Sequence, residues 1–146
     1  MSSAAAFIIN PMRDFIMSAR SVTAQLQNTT DLPLMLLSAK LSHGAWSQNM
    51  YPPTDISGNS NGAWASQSDG FMTGTEGTLT YMLAGAGQVT LHWDNPFAGS
   101  NKYTSAAPSG YEISHSGGGG NKPRNVLWRS LLQRNTADNI SRTKWC

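Results

Sequence analysis

GTLTYMLAGAGQVTLHW, residues 77–93, is the stretch on which the fold turns. Leu79, Tyr81 and Leu83 alternate with Thr78, Thr80 and Met82. After Ala84-Gly-Ala-Gly87, Val89, Leu91 and Trp93 alternate with Gln88, Thr90 and His92. A period of two puts one set on a buried face and the other in solvent. Two such runs joined by a short Gly-containing connection predict an antiparallel hairpin.

The same period recurs on both sides. Val22, Ala24 and Leu26 alternate with Thr23, Gln25 and Gln27, which predicts a half-buried strand over 21–27. Asn28-Thr-Thr-Asp31 reads as a turn, and residues 33–40, with Leu34, Met35, Leu36 and Leu37, as a more deeply buried strand that Pro33 can start. Short strands are expected over 43–47 and 63–66, and a last clear one over 111–115, with Tyr111, Ile113 and His115 on one face. Roughly seven short strands with turns about every eight to twelve residues predict an all-β chain, a single antiparallel β-sandwich with its body over 21–116. Gly117 to Gly120 interrupts regular structure, so 117–146 reads as a Gly-rich linker and a basic tail. Within it NVLWRSLLQ, 125–133, fits a helix through Leu127/Leu131 and Trp128/Leu132, and fits a strand too; both readings stay open.

Ahead of the body, FIINPMRDFIMSAR (7–20) predicts a short N-terminal amphipathic helix within 1–20. Asn10 can cap it and Pro11 suits its first position. Met12, Phe15 and Ile16 then form one apolar stripe, expected to meet a membrane or a second copy of the chain.

Composition narrows the function. The chain has 146 residues, enough for one core without staples. Charged residues are 12% of it, about half the usual share, and neutral Ser, Thr, Asn, Gln and Gly take their place, as suits solvated sheet faces. The one cysteine, Cys146, excludes an intrachain disulfide. No apolar run is long enough to span a bilayer as a helix. The apolar run Ala4–Ile9 is short and has no basic residue before it. The expectation is therefore a cytoplasmic protein, or one released without a conventional signal peptide and peripheral on membranes when bound, with the sequons at Asn28 and Asn139 unused. Residues 1–120 carry four Lys/Arg against seven Asp/Glu, and 121–146 six against one. An acidic body argues against nucleic acid as a partner.

Motifs for chemistry are missing. His43, His92 and His115 stand in no HxH or HExxH pattern, and there is no GxSxG, P-loop or EF-hand loop around Asp69, Glu76, Asp94 or Glu112. The reading is a non-enzyme with no catalytic residue, metal or cofactor. What remains is recognition, and HWDNPFAGSNKY (92–103) is where it would occur, since its rings surround a proline and a glycine with little charge nearby. Trp93, Asp94, Asn95, Pro96, Phe97, Asn101 and Tyr103 are the candidate ligand-binding residues. Rings of this kind stack on sugars, settle at a lipid interface, or face a quaternary ammonium.

Two blocks, SQSDGFMTGTEG (66–77) and HWDNPFAGSN (92–101), with LSHGAW (41–46), resemble the aegerolysins, over roughly residues 21–116. The stretch TGTEGTLTY (73–81) is also similar to the actinoporins and the related fungal fruit-body lectins. The resemblance implies a β-sandwich that binds membrane lipid through a headgroup site at Pro96 and Tyr103, with Asp94, Asn95 and Phe97 beside them. It also implies possible cytolysis, alone or with a separate pore-forming partner protein. The rival expectations are a lectin that holds a glycan in the same loop, and a non-catalytic self-assembling protein.

Overall fold

A computed structural model describes residues 20–121 and 126–135. The predicted hairpin forms β6 (Thr75–Leu83) and β7 (Gly87–Asn95), antiparallel, with Leu79 opposite Leu91 and Gly77 opposite Trp93. Its inward set is fully buried: Leu79, Tyr81, Leu83, Val89, Leu91 and Trp93 are each 0% exposed. Ala84-Gly85-Ala86 turns the chain, with Gly85 at φ 72°, a left-handed conformation that glycine adopts without strain.

The other strands are β1 (Ser21–Asn28), β2 (Leu34–His43), β3 (Ala45–Trp46), β4 (Asp55–Ile56), β5 (Ser60–Gln67), β8 (Lys102–Ala106), β9 (Tyr111–Gly117) and β10 (Val126–Arg134). They build two five-stranded sheets, ordered β3-β5-β1-β10-β9 and β4-β2-β6-β7-β8. Apolar inner faces meet between the sheets, as in a sandwich. Every pairing is antiparallel except β1 with β10, which run parallel.

Two results refine the sequence reading. Residues 126–134 form a strand, bonded on one side to β1 and on the other to β9. Val126, Trp128, Ser130 and Leu132 point inward, so a polar residue in the buried row had hidden the period. Residues 102–106, over which no strand is predicted, form the edge strand β8, whose alternation is largely polar. The predicted helix and its Met12, Phe15 and Ile16 lie outside the described residues.

Four tryptophans cluster between the sheets. The Trp93 ring centroid lies 5.9 Å from Trp46, 5.9 Å from Trp64 and 6.5 Å from Trp128. Gly77 is a glycine because that indole covers it: a Cβ there would stand 2.4 Å from Trp93 Cζ2.

Candidate functional site

The outward faces of β6 and β7 carry the side chains that the core rejects. Strand register lines two of them up with one residue from each neighbouring strand, in a row across sheet β4-β2-β6-β7-β8: His43 opposite Glu76, Glu76 opposite Asp94, Asp94 opposite Lys102. Two carboxylates thus stand side by side, flanked by an imidazole and an ammonium. In the next row His92 pairs with Thr78, and its Nε2 lies 3.1 Å from Glu76 Oε2. His43 Nε2 is 3.9 Å from Glu76 Oε1. His92 Nδ1 shares a 2.8 Å hydrogen bond with the Thr78 hydroxyl.

Like charges directly opposite on neighbouring strands repel. The Asp94 carboxyl is held above the usual carboxylate range, first by burial and then by Glu76, against the opposing pull of His92, Lys102 and His43. A raised pKa means that the ionised form weakens the fold, so the penalty is absent at acid pH and present once Asp94 has lost its proton. Asp94→Asn is therefore expected to stabilise the protein at neutral pH by roughly 0.2–1 kcal/mol, with no gain near pH ~3. Urea unfolding at both pH values checks this; an equal gain at both would show that charge is not the cause.

Two loops close over the row. In the first, Gly70 N donates to Thr73 Oγ1 (3.1 Å) and Thr73 Oγ1 donates to the Gly70 carbonyl (2.7 Å). The tight turn pushes out the residues between: Phe71 is 86% exposed and Met72 56%, with Met72 at φ 58°. Gly74 lets this loop touch the second, since a Cβ there would lie 2.5 Å from the Asn95 carbonyl oxygen. The second loop, 96–101, is pinned by Arg20, whose guanidinium donates to the carbonyls of Pro96 and Phe97 and sits 5.1 Å from the Phe97 ring centroid. Between the loops lies a cleft of about 390 Å³, lined by His43, Met72, Thr73, Gly74, Thr75, Glu76, Asp94, Pro96 and Phe97. No Lys or Arg is among these residues. A smaller depression of about 270 Å³ on the outer face of the other sheet, with Gln25, Asn61 and Arg129 in its wall, lacks any aromatic rim.

Of the residues expected in the site, the structure brings Asp94, Pro96 and Phe97 to the cleft. The others need correction. Trp93 is core, 0% exposed, because it continues the inward set of β7; its Nε1 donates to Ser66 Oγ at 2.8 Å. Asn95 is 1% exposed, also on the inward side, and its Nδ2 donates to the Ser21 carbonyl. Asn101 is buried and donates to the Gly118 carbonyl. Tyr103 belongs to β8: its ring stacks on Trp128 at 4.7 Å, and its hydroxyl donates to the Gly118 carbonyl at 2.6 Å. Burial pushes the Tyr103 hydroxyl up to about 12, against a smaller opposite effect of Asn101. Its ring is a packing element.

Phe71, Met72 and the meeting of His43 and His92 at Glu76 were not legible as a site in the sequence. The signal for the first two was an apolar pair between Asp69-Gly70 and Thr73-Gly74, where a turn leaves nothing to bury it. Among the described residues no three of His, Cys, Asp and Glu are placed to hold a metal ion.

Together these features define a β-sandwich with a preformed, acid-walled cleft between two loops at one end of a sheet. The aegerolysin family model matches residues 19–124, and the chain belongs to the aegerolysin family. A search of curated proteins by sequence found no match. Among solved structures the chain is similar to the lipid binding protein Nakanori (TM-score 0.71, 11% identity, covering 91% of this chain and 80% of that one). It is also similar to IP-1A from Alcaligenes faecalis (TM-score 0.65, 16% identity, 84% and 96% covered). The Xerocomus chrysenteron lectin XCL, in a mutated form, is more distant (TM-score 0.50, 14% identity, 78% and 97% covered). At these identities the likeness is one of fold.

Proposed function

We propose that this protein binds membrane lipid peripherally, through the end of the sandwich that carries the 68–74 loop and the cleft. The observation that carries the reading is Phe71, 86% exposed at the tip of a hydrogen-bonded turn beside Met72. A large apolar ring held in water at a loop tip gains free energy when it enters an apolar phase. Next to it, the cleft presents two carboxylates and no Lys or Arg, which suits the ammonium of a zwitterionic headgroup and repels an anionic one. The carboxylates, rather than the Phe97 ring, would hold that cation, because Arg20 already lies against the ring. Membership of the aegerolysin family and the likeness to a structure described as a lipid binding protein support the reading.

Co-sedimentation with vesicles of phosphatidylcholine, phosphatidylethanolamine or phosphatidylglycerol tests it, and dye leakage from the same vesicles reads any pore formation, alone or with an added partner. The expected result is binding to the two zwitterionic lipids, weakened on the order of tenfold by Glu76→Gln with Asp94→Asn. Binding to phosphatidylglycerol alone, or binding that free sugar abolishes, would overturn it; the second outcome would establish the lectin reading.

A further inference from the structure

We infer that His92, assisted by His43, is a built-in counter-cation that competes with the ligand's ammonium for Glu76 and Asp94, so that acidification releases the bound headgroup. This rests on the headgroup reading above and concerns the regulation of the same cleft.

The geometry is that of a fixed charge that can be turned on. His92 is held from both sides, by Thr78 at Nδ1 and by Glu76 at Nε2. The Thr78 hydroxyl donates to a neutral Nδ1 and accepts from a protonated one, so the ring keeps its place in both states while Nε2–H stays on Glu76. Protonation therefore adds a positive charge 3.1 Å from a carboxylate oxygen without any movement. His43 reaches the other oxygen of the same carboxylate from β2, and its side chain is 69% exposed, open to solvent protons.

Other charged side chains surround the row. From β2, Lys40 stands opposite Thr78, and from β8, Lys102 stands opposite Asp94. Both carry ammonium groups, and Arg20 carries a guanidinium. The carboxylates come from β6 (Glu76) and β7 (Asp94). Imidazole is the side-chain type that changes its charge between pH ~5 and 8, and the row holds two of them. Near neutral pH the row leaves the carboxylate pair short of positive charge, and an external ammonium supplies it. Below that range the protein supplies its own. The raised carboxyl of Asp94 acts in the same direction, because it takes up a proton earlier than an ordinary aspartate as pH falls.

The test measures binding to phosphatidylcholine vesicles at about pH 7.5 and about pH 5.5, for the wild type and for His43→Gln with His92→Gln. Glutamine keeps a hydrogen-bonding side chain and removes the titration. The readout is the ratio of the two Kd values within each protein rather than its absolute affinity. Wild type is expected to weaken on the order of tenfold at the lower pH, and the double variant to keep only the smaller fall that Asp94 contributes. His43→Gln alone, at an exposed position that the fold does not depend on, is expected to show an intermediate ratio. A wild-type ratio of one, tighter binding at acid pH, or an equal fall in the double variant overturns the inference while leaving the headgroup reading intact. No binding to zwitterionic vesicles at either pH removes both.

Discussion

Trp93→Ala is expected to lower the unfolding free energy by about 3–5 kcal/mol. The indole is 0% exposed and lies against three other tryptophans, so truncation leaves a void lined by rings on rigid strands, which cannot collapse to fill it. A polar loss adds to the cavity. Ser66 Oγ accepts from Trp93 Nε1 at 2.8 Å and from Thr75 Oγ1 at 2.7 Å, and the variant removes one of these two buried bonds. Gly77 offers no compensation, since its missing side chain is the space that the indole fills. Against a typical total of about 5–15 kcal/mol the variant stands near its unfolding limit at room temperature. Urea titration followed by far-UV circular dichroism measures this, and Trp93→Phe, which restores most of the ring, is expected to recover the larger part. A loss under ~1 kcal/mol for the alanine variant would show that the tryptophan cluster is not the keystone of the fold.

Phe71→Ser is expected to have the largest effect on binding, with almost none on stability. Full burial of a phenylalanine side chain in an apolar phase is worth about 1.5–3 kcal/mol, or roughly ten- to a hundredfold in affinity. In the free protein the ring is 86% exposed and packs on little, so the fold loses nothing measurable when it goes, within about 0.5 kcal/mol. Met72→Ser, half exposed beside it, is expected to add to the loss. Vesicle co-sedimentation reads the affinity, and thermal unfolding the stability. Full binding by the Phe71→Ser variant would mean that another surface meets the membrane. The contrast with Trp93 is instructive: two aromatic residues with opposite roles, separated by which face or loop the backbone gives them.

How much of this the sequence disclosed depended on the strength of each local period. β6 and β7 were legible because threonine and large apolar residues alternate there without a break. β10 was not, because Ser130 sits in its buried row and Leu127 and Leu131 in its outward one, so hydropathy follows neither two nor 3.6 cleanly. Its strand state comes from backbone bonds to β1 and β9, distant in sequence. β8 is five residues long at a sheet edge, bonded on one side only, to β7. With that strand unseen, Tyr103 looked like a loop ring free to touch a ligand, when it stacks on Trp128.

The candidate site divides along the same line. The loop after Trp93 could be marked as a place of contact, because proline, glycine and rings gather there with little charge. That Asp94 faces outward and Trp93 inward also follows from the period of two. The sequence by itself thus determined the class of the fold, the central hairpin, the family to which the chain belongs and the neighbourhood of its cleft. Only the tertiary structure decided which side chains share that cleft. His43, Glu76 and Asp94 come from three different strands and meet there through cross-strand register. A local period states which face a residue occupies, but register depends on bulges such as those in β2 and on turn geometry, which act over many residues at once. The exposure of Phe71 belongs with it: an apolar residue in a loop is buried or wet according to whether another part of the chain comes back to cover it, and here none of the described residues does.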